Sequence, residues 1–277
     1  MNFVVNQELI IRLSIFLCVL ISMMCWENIS PRHQQGNSRW QRRFVNLLLV
    51  VVNTILLRTI LPLAAVSAAA IANMHGWGLF NKLGVNSWLA GILSFLLLDL
   101  LIYFQHRLMH SIPLLWRVHR VHHSDTRFDV TTGVRFHPFE ILLSMLVKIL
   151  AVILLGVPVL AVVVFEVVLS SSSLFNHGNV LIPTRLDHYL RLLLVTPDMH
   201  RVHHSVVKDE TNSNYGFNLP WWDRLFATYR AQPEAGHAKI IIGLKEFRSE
   251  DFVNLLWLLK QPFLNVLEDP SASKNQH

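Results

Sequence analysis

The sequence predicts an all-α fold, a helical bundle integral to a membrane with a histidine-rich cap on one aqueous face. Three observations carry that expectation. Hydrophobic residues make up 52% of the 277 and charged ones only 15%, with mean hydropathy +0.40, too apolar for an ordinary soluble domain. The apolar residues gather into long runs separated by short polar loops. Eight histidines gather into three clusters just beyond the ends of those runs. The whole chain, 1–277, reads as one membrane domain whose histidine-rich core spans 88–230.

In chain order, Leu9–Trp26 is the first apolar run and is of nearly spanning length. A cleaved signal peptide is the competing reading. No A-x-A-like site follows, however, and Glu8 is foreign to a basic leading segment, so a retained span is expected. Both cysteines, Cys18 and Cys25, lie in this run and imply neither a disulfide framework nor a thiolate metal site. The second run, Val45–Met74, is interrupted by Arg58, and the third, Trp88–Phe104, carries Asp99. Ile141–Leu169 is long enough for one span, but Gly156-Val157-Pro158 breaks it in the middle. A helical hairpin that enters and returns is therefore expected.

Four arginines between the first two runs (Arg32–Arg43), against Lys82 alone between the second and third, predict that the first loop is cytoplasmic. Three crossings and the hairpin then bring residues 105–140 and 175–230, with the C-terminus, to the cytoplasmic face. The net charge of +6, which includes Lys208, Arg224 and Arg230 in these loops, is explained by anionic lipid headgroups rather than by nucleic acid. No P-loop, G-x-G-x-x-G or G-x-S-x-G occurs, so nucleotide-dependent and serine-hydrolase functions have no support.

The histidines ask for metal. His-Arg-Val-His-His-Ser occurs twice, at His119–Ser124 and His200–Ser205, and His106 and His110 precede the first copy. Random scatter of 15 histidines would give about 0.04 matches to H-x-x-H-H, so the pattern is not background. On a helix, residues i, i+3 and i+4 share a face, so His119, His122 and His123 can converge, as can His200, His203 and His204, with His106 and His110 as an i, i+4 pair. Eight imidazoles exceed what one tetrahedral ion uses, so two ions are expected. His177, after the fourth apolar region, is a further candidate ligand. Asp99, two helical turns before His106, and Asp198 and Asp125, flanking the clusters, are candidates to orient imidazoles. His137 and His188 are candidates for supporting or structural roles. Trp221-Trp222 reads as an interfacial aromatic belt.

These residues resemble the fatty acid hydroxylase/sterol desaturase superfamily. His106-Arg-Leu-Met-His110, His119-Arg-Val-His-His123 and His200-Arg-Val-His-His204 are similar to its three histidine boxes. The likeness extends to His137-Pro138, Asn176-His177-Gly178-Asn179, Asn214-Tyr215-Gly216 and Trp222-Asp223-Arg224-Leu225-Phe226, across roughly Trp88 to Arg230. The resemblance implies an integral membrane enzyme of lipid biosynthesis, with a histidine-bound non-haem di-iron centre on the cytosolic face that oxidises a lipid C–H bond with O2 and two electrons. It implies His177 as an additional ligand and no catalytic side chain beyond the ligands. Some relatives carry another histidine a turn after His177; here that place holds Leu181, which leaves one ligand missing or supplied from elsewhere.

The chemistry suits the architecture, because an unactivated methylene offers side chains no acidic proton or leaving group and needs a cofactor. Iron is expected, with zinc as a substitute in overexpressed protein. No haem-binding His-Pro-Gly-Gly or flavin fingerprint occurs, so a separate reductase with a cytochrome or ferredoxin is implied. A metal transporter would place its ligands near mid-span, and here they lie beyond the runs. A structural zinc protein remains the alternative of a different class. Hydroxylation against desaturation, and fatty acyl, sterol, ether-lipid or carotenoid substrates, stay open.

Overall fold

The computed structural model describes residues 2–34, 36, 39–61, 64–248 and 254–265. Among these the backbone forms thirteen α-helices, with two isolated bridges in place of any sheet. The C-terminal tail expected on the cytoplasmic face lies largely outside the described residues.

The first helix, α1 (Asn2–Ile29), is about 42 Å long at 1.5 Å per residue, ample for a span. The second apolar run is not one rod. It divides into α2 (Arg39–Ile60) and α3 (Ala65–Met74), with the break just ahead of Pro62, which cannot continue a helical hydrogen-bond ladder. A single turn, α4 (Leu79–Lys82), leads into α5 (Ser87–Ser111), which opens on Asn86 accepting from the Trp88 and Leu89 N–H groups. After α6 (Pro113–His123) comes the hairpin of α7 (Pro138–Leu155) and α8 (Val159–Asn176). Its turn falls at Gly156, in the left-handed region at φ +72°, followed by Pro158, where the sequence places it.

Five segments are long and apolar enough to cross a membrane: Gln7–Ile29, Arg39–Lys82, Ser87–Ser111, Pro138–Leu155 and Val159–Asn176. The sequence marks four apolar regions, with Ile141–Leu169 as one re-entrant hairpin, and the structure divides that hairpin into two arms each long enough to span. Each arm is longer than its hydropathy suggests. His137 caps the N-terminus of α7 by accepting the Phe139 N–H at 3.2 Å, and Pro138 fits the first helical position. At the other end α8 continues through four serines to Asn176. Ser170 bonds back to the Val167 carbonyl and Ser173 to that of Gly133, so their polarity is absorbed.

The chain direction follows from what each end touches. Glu27, near the end of α1, accepts from the Val130 and Asn179 N–H groups at 2.7 and 2.8 Å. At the start of α2, Arg42 pairs with Asp125 at 2.7 Å, and Arg43 with Glu27 and Asp129 at 2.6 and 2.9 Å. The end of α5, the start of α7 and the end of α8 meet this same cap. The far end holds the Gly156 turn, where Asn73 of α3 donates to the Val157 carbonyl at 2.9 Å. The main buried cluster joins α3, α5, α7 and α8, with Ala65, Ala68 and Ala69 letting α3 nest against the larger Val162 and Phe165. Leucines and isoleucines such as Ile10, Leu17, Ile55, Ile92, Leu150 and Leu160 face outward, as lipid contact requires.

The cap is closed by α9 (Thr184–Leu190), α10 (Pro197–His203), α11 (Lys208–Thr211), α12 (Trp221–Leu225) and α13 (Leu255–Lys260). A 3-10 turn, Val130–Val134, begins at Asp129, whose carboxylate accepts from the Thr131 N–H and hydroxyl.

Candidate metal centre

Nine histidines converge on two neighbouring points. One group is His106, His110, His119, His123 and His203; the other is His122, His177, His200 and His204. Within each group, one potential ligand atom per residue lies within 4.8 Å of every other. All nine are buried except His110, which is half-buried.

The partition cuts across the sequence clusters, which corrects the expectation that each cluster converges on one place. His119 and His123 point to the first group, while His122 between them points to the second. His200 and His204 point to the second, and His203 to the first. Helical geometry accounts for this. Residues four apart lie within about 40° of one another around the axis, whereas adjacent residues are about 100° apart. The H-x-x-H-H pattern is thus an i, i+4 pair plus one residue facing the other group. The two groups abut: His123 and His204 stack with centroids 4.4 Å apart and planes 16° from parallel.

Several rings are held by one nitrogen, leaving the other for the centre. The Nδ1–H groups of His106, His177 and His203 donate to the carbonyls of Tyr215, Ser173 and Ser213 at 2.8, 2.8 and 2.7 Å. His119 Nδ1 bonds the Glu140 carboxylate at 2.7 Å. In the second group the Nε2 atoms of His122 and His200 lie 3.1 and 3.0 Å from His177 Nε2.

These residues fit first-row metal ions. The Nε2 atoms of His106, His119, His123 and His203 and both ring nitrogens of His204 are buried without a hydrogen-bond partner. A buried polar atom left so costs about 1–3 kcal/mol, and this many in one place would all be satisfied by cations placed among them. Metal–nitrogen bonds of about 2.0–2.1 Å put neighbouring ligand nitrogens roughly 3 Å apart, the spacing around His177. Burial, reinforced by neighbouring imidazoles, holds His122, His123, His200 and His204 well below the usual histidine range. Burial likewise lowers His177 and His203 to about 3. Neutral rings with free lone pairs are what a metal requires.

The supporting residues differ from those the sequence suggested. Asp99 touches no histidine. It accepts from the Asn218 side chain, the Leu219 N–H and the Trp222 indole at 2.8, 3.2 and 2.8 Å, and so anchors the loop before α12. Trp222 is therefore tied inward and is not part of an interfacial belt, whereas Trp221 is exposed. Asp198 pairs with Arg32 at 3.1 Å, and Asp125 with Arg42; neither reaches a clustered ring. His137 serves as the cap of α7 and His188 is exposed beside Tyr189; both lie outside the two groups. Leu181 is 47% exposed, and the second group draws its four rings without that position.

Sequence reasoning missed Glu140 as an imidazole partner and missed the backbone carbonyls, which leave no side-chain signature. Asp223 also acts through backbone. Its carboxylate accepts from the Tyr215 and Gly216 N–H groups, both at 2.7 Å, and so fixes the carbonyl that holds His106. Burial pushes Asp223 up to about 6. Gly133 is required by crowding, since a Cβ there would stand 2.3 Å from the Ser173 carbonyl oxygen and 3.1 Å from His177 Nδ1.

A cavity of about 250 Å³ leads from the rings into the spanning bundle. His106, His119 and His122 line one part, so both groups border it, and Leu57, Ile102 and Met145 make its wall apolar. Phe136 stacks on His122 at 4.5 Å and helps keep that wall dry.

Comparison with known proteins gives the same family as the motifs. The fatty acid hydroxylase family model matches residues 91–228. An ornithine lipid hydroxylase of Rhizobium tropici is 34% identical over 172 residues, covering 62% of this chain and 50% of that protein. The alkylglycerol monooxygenase of Homo sapiens is 28% identical over 156 residues, 54% of this chain and 32% of that protein. A very-long-chain aldehyde decarbonylase of Oryza sativa subsp. indica is 28% identical over 173 residues, covering 58% of this chain and 26% of that protein. The matched region thus spans half or less of these relatives. No solved structure matches the chain.

Proposed function

The chain belongs to the fatty acid hydroxylase superfamily, and from that membership we propose that it is an integral membrane oxygenase that hydroxylates a lipid C–H bond using O2 and two electrons. The observation that carries this reading is the convergence of nine histidines, eight of them buried, on two points at one end of an apolar cavity within the spanning helices. His106, His110, His119, His123 and His203 would hold one iron ion, and His122, His177, His200 and His204 the other. Such a pair supplies the oxygen activation that side chains lack.

The chain's own residues do the rest. Glu140 and the carbonyls of Ser173, Ser213 and Tyr215 fix ring orientation, so that the free nitrogens are positioned before any ion arrives. The apolar wall of the cavity excludes water and aligns an acyl chain beside the rings. One oxygen atom would enter the substrate and the other would leave as water, with two protons and with two electrons from a separate reductase working through a cytochrome or ferredoxin. Hydroxylation is preferred over desaturation because the first relatives are named a hydroxylase and a monooxygenase. Their names also favour a lipid with a compact polar head as substrate, over a sterol or carotenoid. The arginine-rich first loop supports a cytoplasmic position for the cap.

The test is mass spectrometry of membrane lipids from cells with and without the gene, grown under isotopically labelled dioxygen. The expected result is a gene-dependent lipid carrying one labelled oxygen atom. An unchanged lipid profile, or a gene-dependent unsaturated product without label, would overturn the reading.

A further inference from the structure

Four ionisable side chains meet where α1 packs on α8 and Lys148 reaches across from α7, with Lys148 and Glu166 buried and Arg12 and Glu8 half-buried beside them. Lys148 Nζ lies 2.7 Å from Glu166 Oε1, Arg12 lies 2.9 Å from Glu166 Oε2, and Arg12 also pairs with Glu8 at 3.0 Å. Lys148 and Glu166 sit in the middle of their 18-residue helices, far from either end of the spans. Ionisable groups at such depth are costly and mark functional positions more often than decoration. Arg12 and Glu166 alone would pin α1 to α8. Lys148 comes from a third helix, and it lines the same cavity as His106, His119 and His122.

The cavity wall explains what a lysine could do there. Glu140, Ser144 and Lys148 follow one another at intervals of four along one face of α7 and all border the cavity. Gln105 of α5 donates to the Ser144 hydroxyl at 2.5 Å, which closes off the middle of that stripe. Glu140 is engaged with His119. An ammonium group has three donors and Glu166 accepts one, so Lys148 is the charged member of the stripe with donors to spare. Eight residues of helix separate it from Glu140, about 12 Å.

We propose that Lys148 is a substrate-binding residue, and that the lipid taken by this cavity carries a neutral hydrogen-bond acceptor within its chain. That acceptor is a hydroxyl or carbonyl oxygen lying on the order of ten carbons from the end held near the histidines. The acceptor is neutral because the charges already balance, Lys148 and Arg12 against Glu166 and Glu8. An added carboxylate would lie unpaired beside Glu166 in a dry site. The inference rests on the reading of the cavity as the lipid site.

The experiment measures binding, and so does not depend on turnover. Purified protein in lipid nanodiscs is titrated with two probes, methyl octadecanoate and its 10-hydroxy derivative, in the wild type, Lys148→Met, Lys148→Arg and the double variant Lys148→Met/Glu166→Gln. The double variant removes both partners together, so that no unpaired charge is left to unfold the bundle. A cavity-filling Met145→Trp variant reports whether the probes occupy the cavity at all. The wild type is expected to prefer the hydroxylated ester by on the order of 10-fold. Lys148→Met and the double variant should lose that preference while still binding the plain ester, and Lys148→Arg should restore part of it. Equal binding of the two esters by the wild type, or a preference that survives in the double variant, overturns the assignment of Lys148 alone. If neither ester binds, or Met145→Trp leaves binding of both unchanged, the cavity is not the lipid site and both readings fall.

Discussion

Replacing Glu140 by glutamine tests whether the rings are positioned by the residues assigned here. Glu140 is 5% exposed and its Oε1 bonds His119 Nδ1 at 2.7 Å, which keeps the proton on Nδ1 and the lone pair of Nε2 toward the other four rings of its group. Glutamine keeps the shape and one acceptor but removes the charge. A charge-assisted hydrogen bond is roughly twice as strong as a neutral one, so about 1–2 kcal/mol of orientation and basicity should be lost. Metal affinity of the His106 group should fall roughly 5–30-fold, at the lower end of the usual effect of losing such a partner. The His122 group, which Glu140 does not touch, should keep its affinity. Competition with a calibrated chelator on purified protein reads both sites as two phases. Asp198→Asn is the control, because that carboxylate pairs with Arg32 and not with a clustered ring. Parental affinity in Glu140→Gln, or an equal loss in Asp198→Asn, would refute the reasoning.

Folding stability of the metal-free protein should also depend on pH with a definite sign. Burial holds His122, His123, His200 and His204 below the unfolded value near 6.5, and lowers His177 and His203 to about 3, so the unfolded chain binds more protons below 6.5. Their contribution is complete above that pH and declines as pH falls from about 6.5 toward about 3, which unfolding of the metal-free protein across that range would follow; stability unchanged between about pH 7 and pH 4 would contradict it. Gly133→Ala should destabilise the protein by about 1–3 kcal/mol and weaken the His177 group, because the new Cβ meets the Ser173 carbonyl at 2.3 Å; thermal unfolding and chelator competition measure it. Asp99→Asn should act only through the loop that carries Tyr215, lowering affinity of the His106 group on the order of 10-fold while leaving the hairpin intact.

The parts of this molecule that were legible in its sequence are those governed by short-range rules. The Gly156-Val157-Pro158 break gave the hairpin, because one residue with positive φ and one without an N–H punctuate a helix locally. The histidines were legible through their spacing as side chains that gather in one place. Their division was not: which of His122 and His123 faces which group depends on the approach of α10, not on α6 alone. Asp99 shows the same limit. Its helical phase placed it on the face of His106, yet the hydrogen bonds it accepts come from the loop before α12 and from Trp222 of α12 itself. Ring-holding carbonyls at Ser173, Ser213 and Tyr215 carry no residue-type signal, so only coordinates reveal them.

The central claim, two metal ions held by two groups of histidines, is tested most directly by elemental analysis of protein purified without added metal salts. About two first-row metal ions per chain are expected, iron in active preparations and zinc in part where expression outruns iron supply. His122→Ala should lower the count while exposed His188→Ala leaves it unchanged. Metal at background level in the wild type, or a count that falls with His188→Ala and not with His122→Ala, would contradict the account.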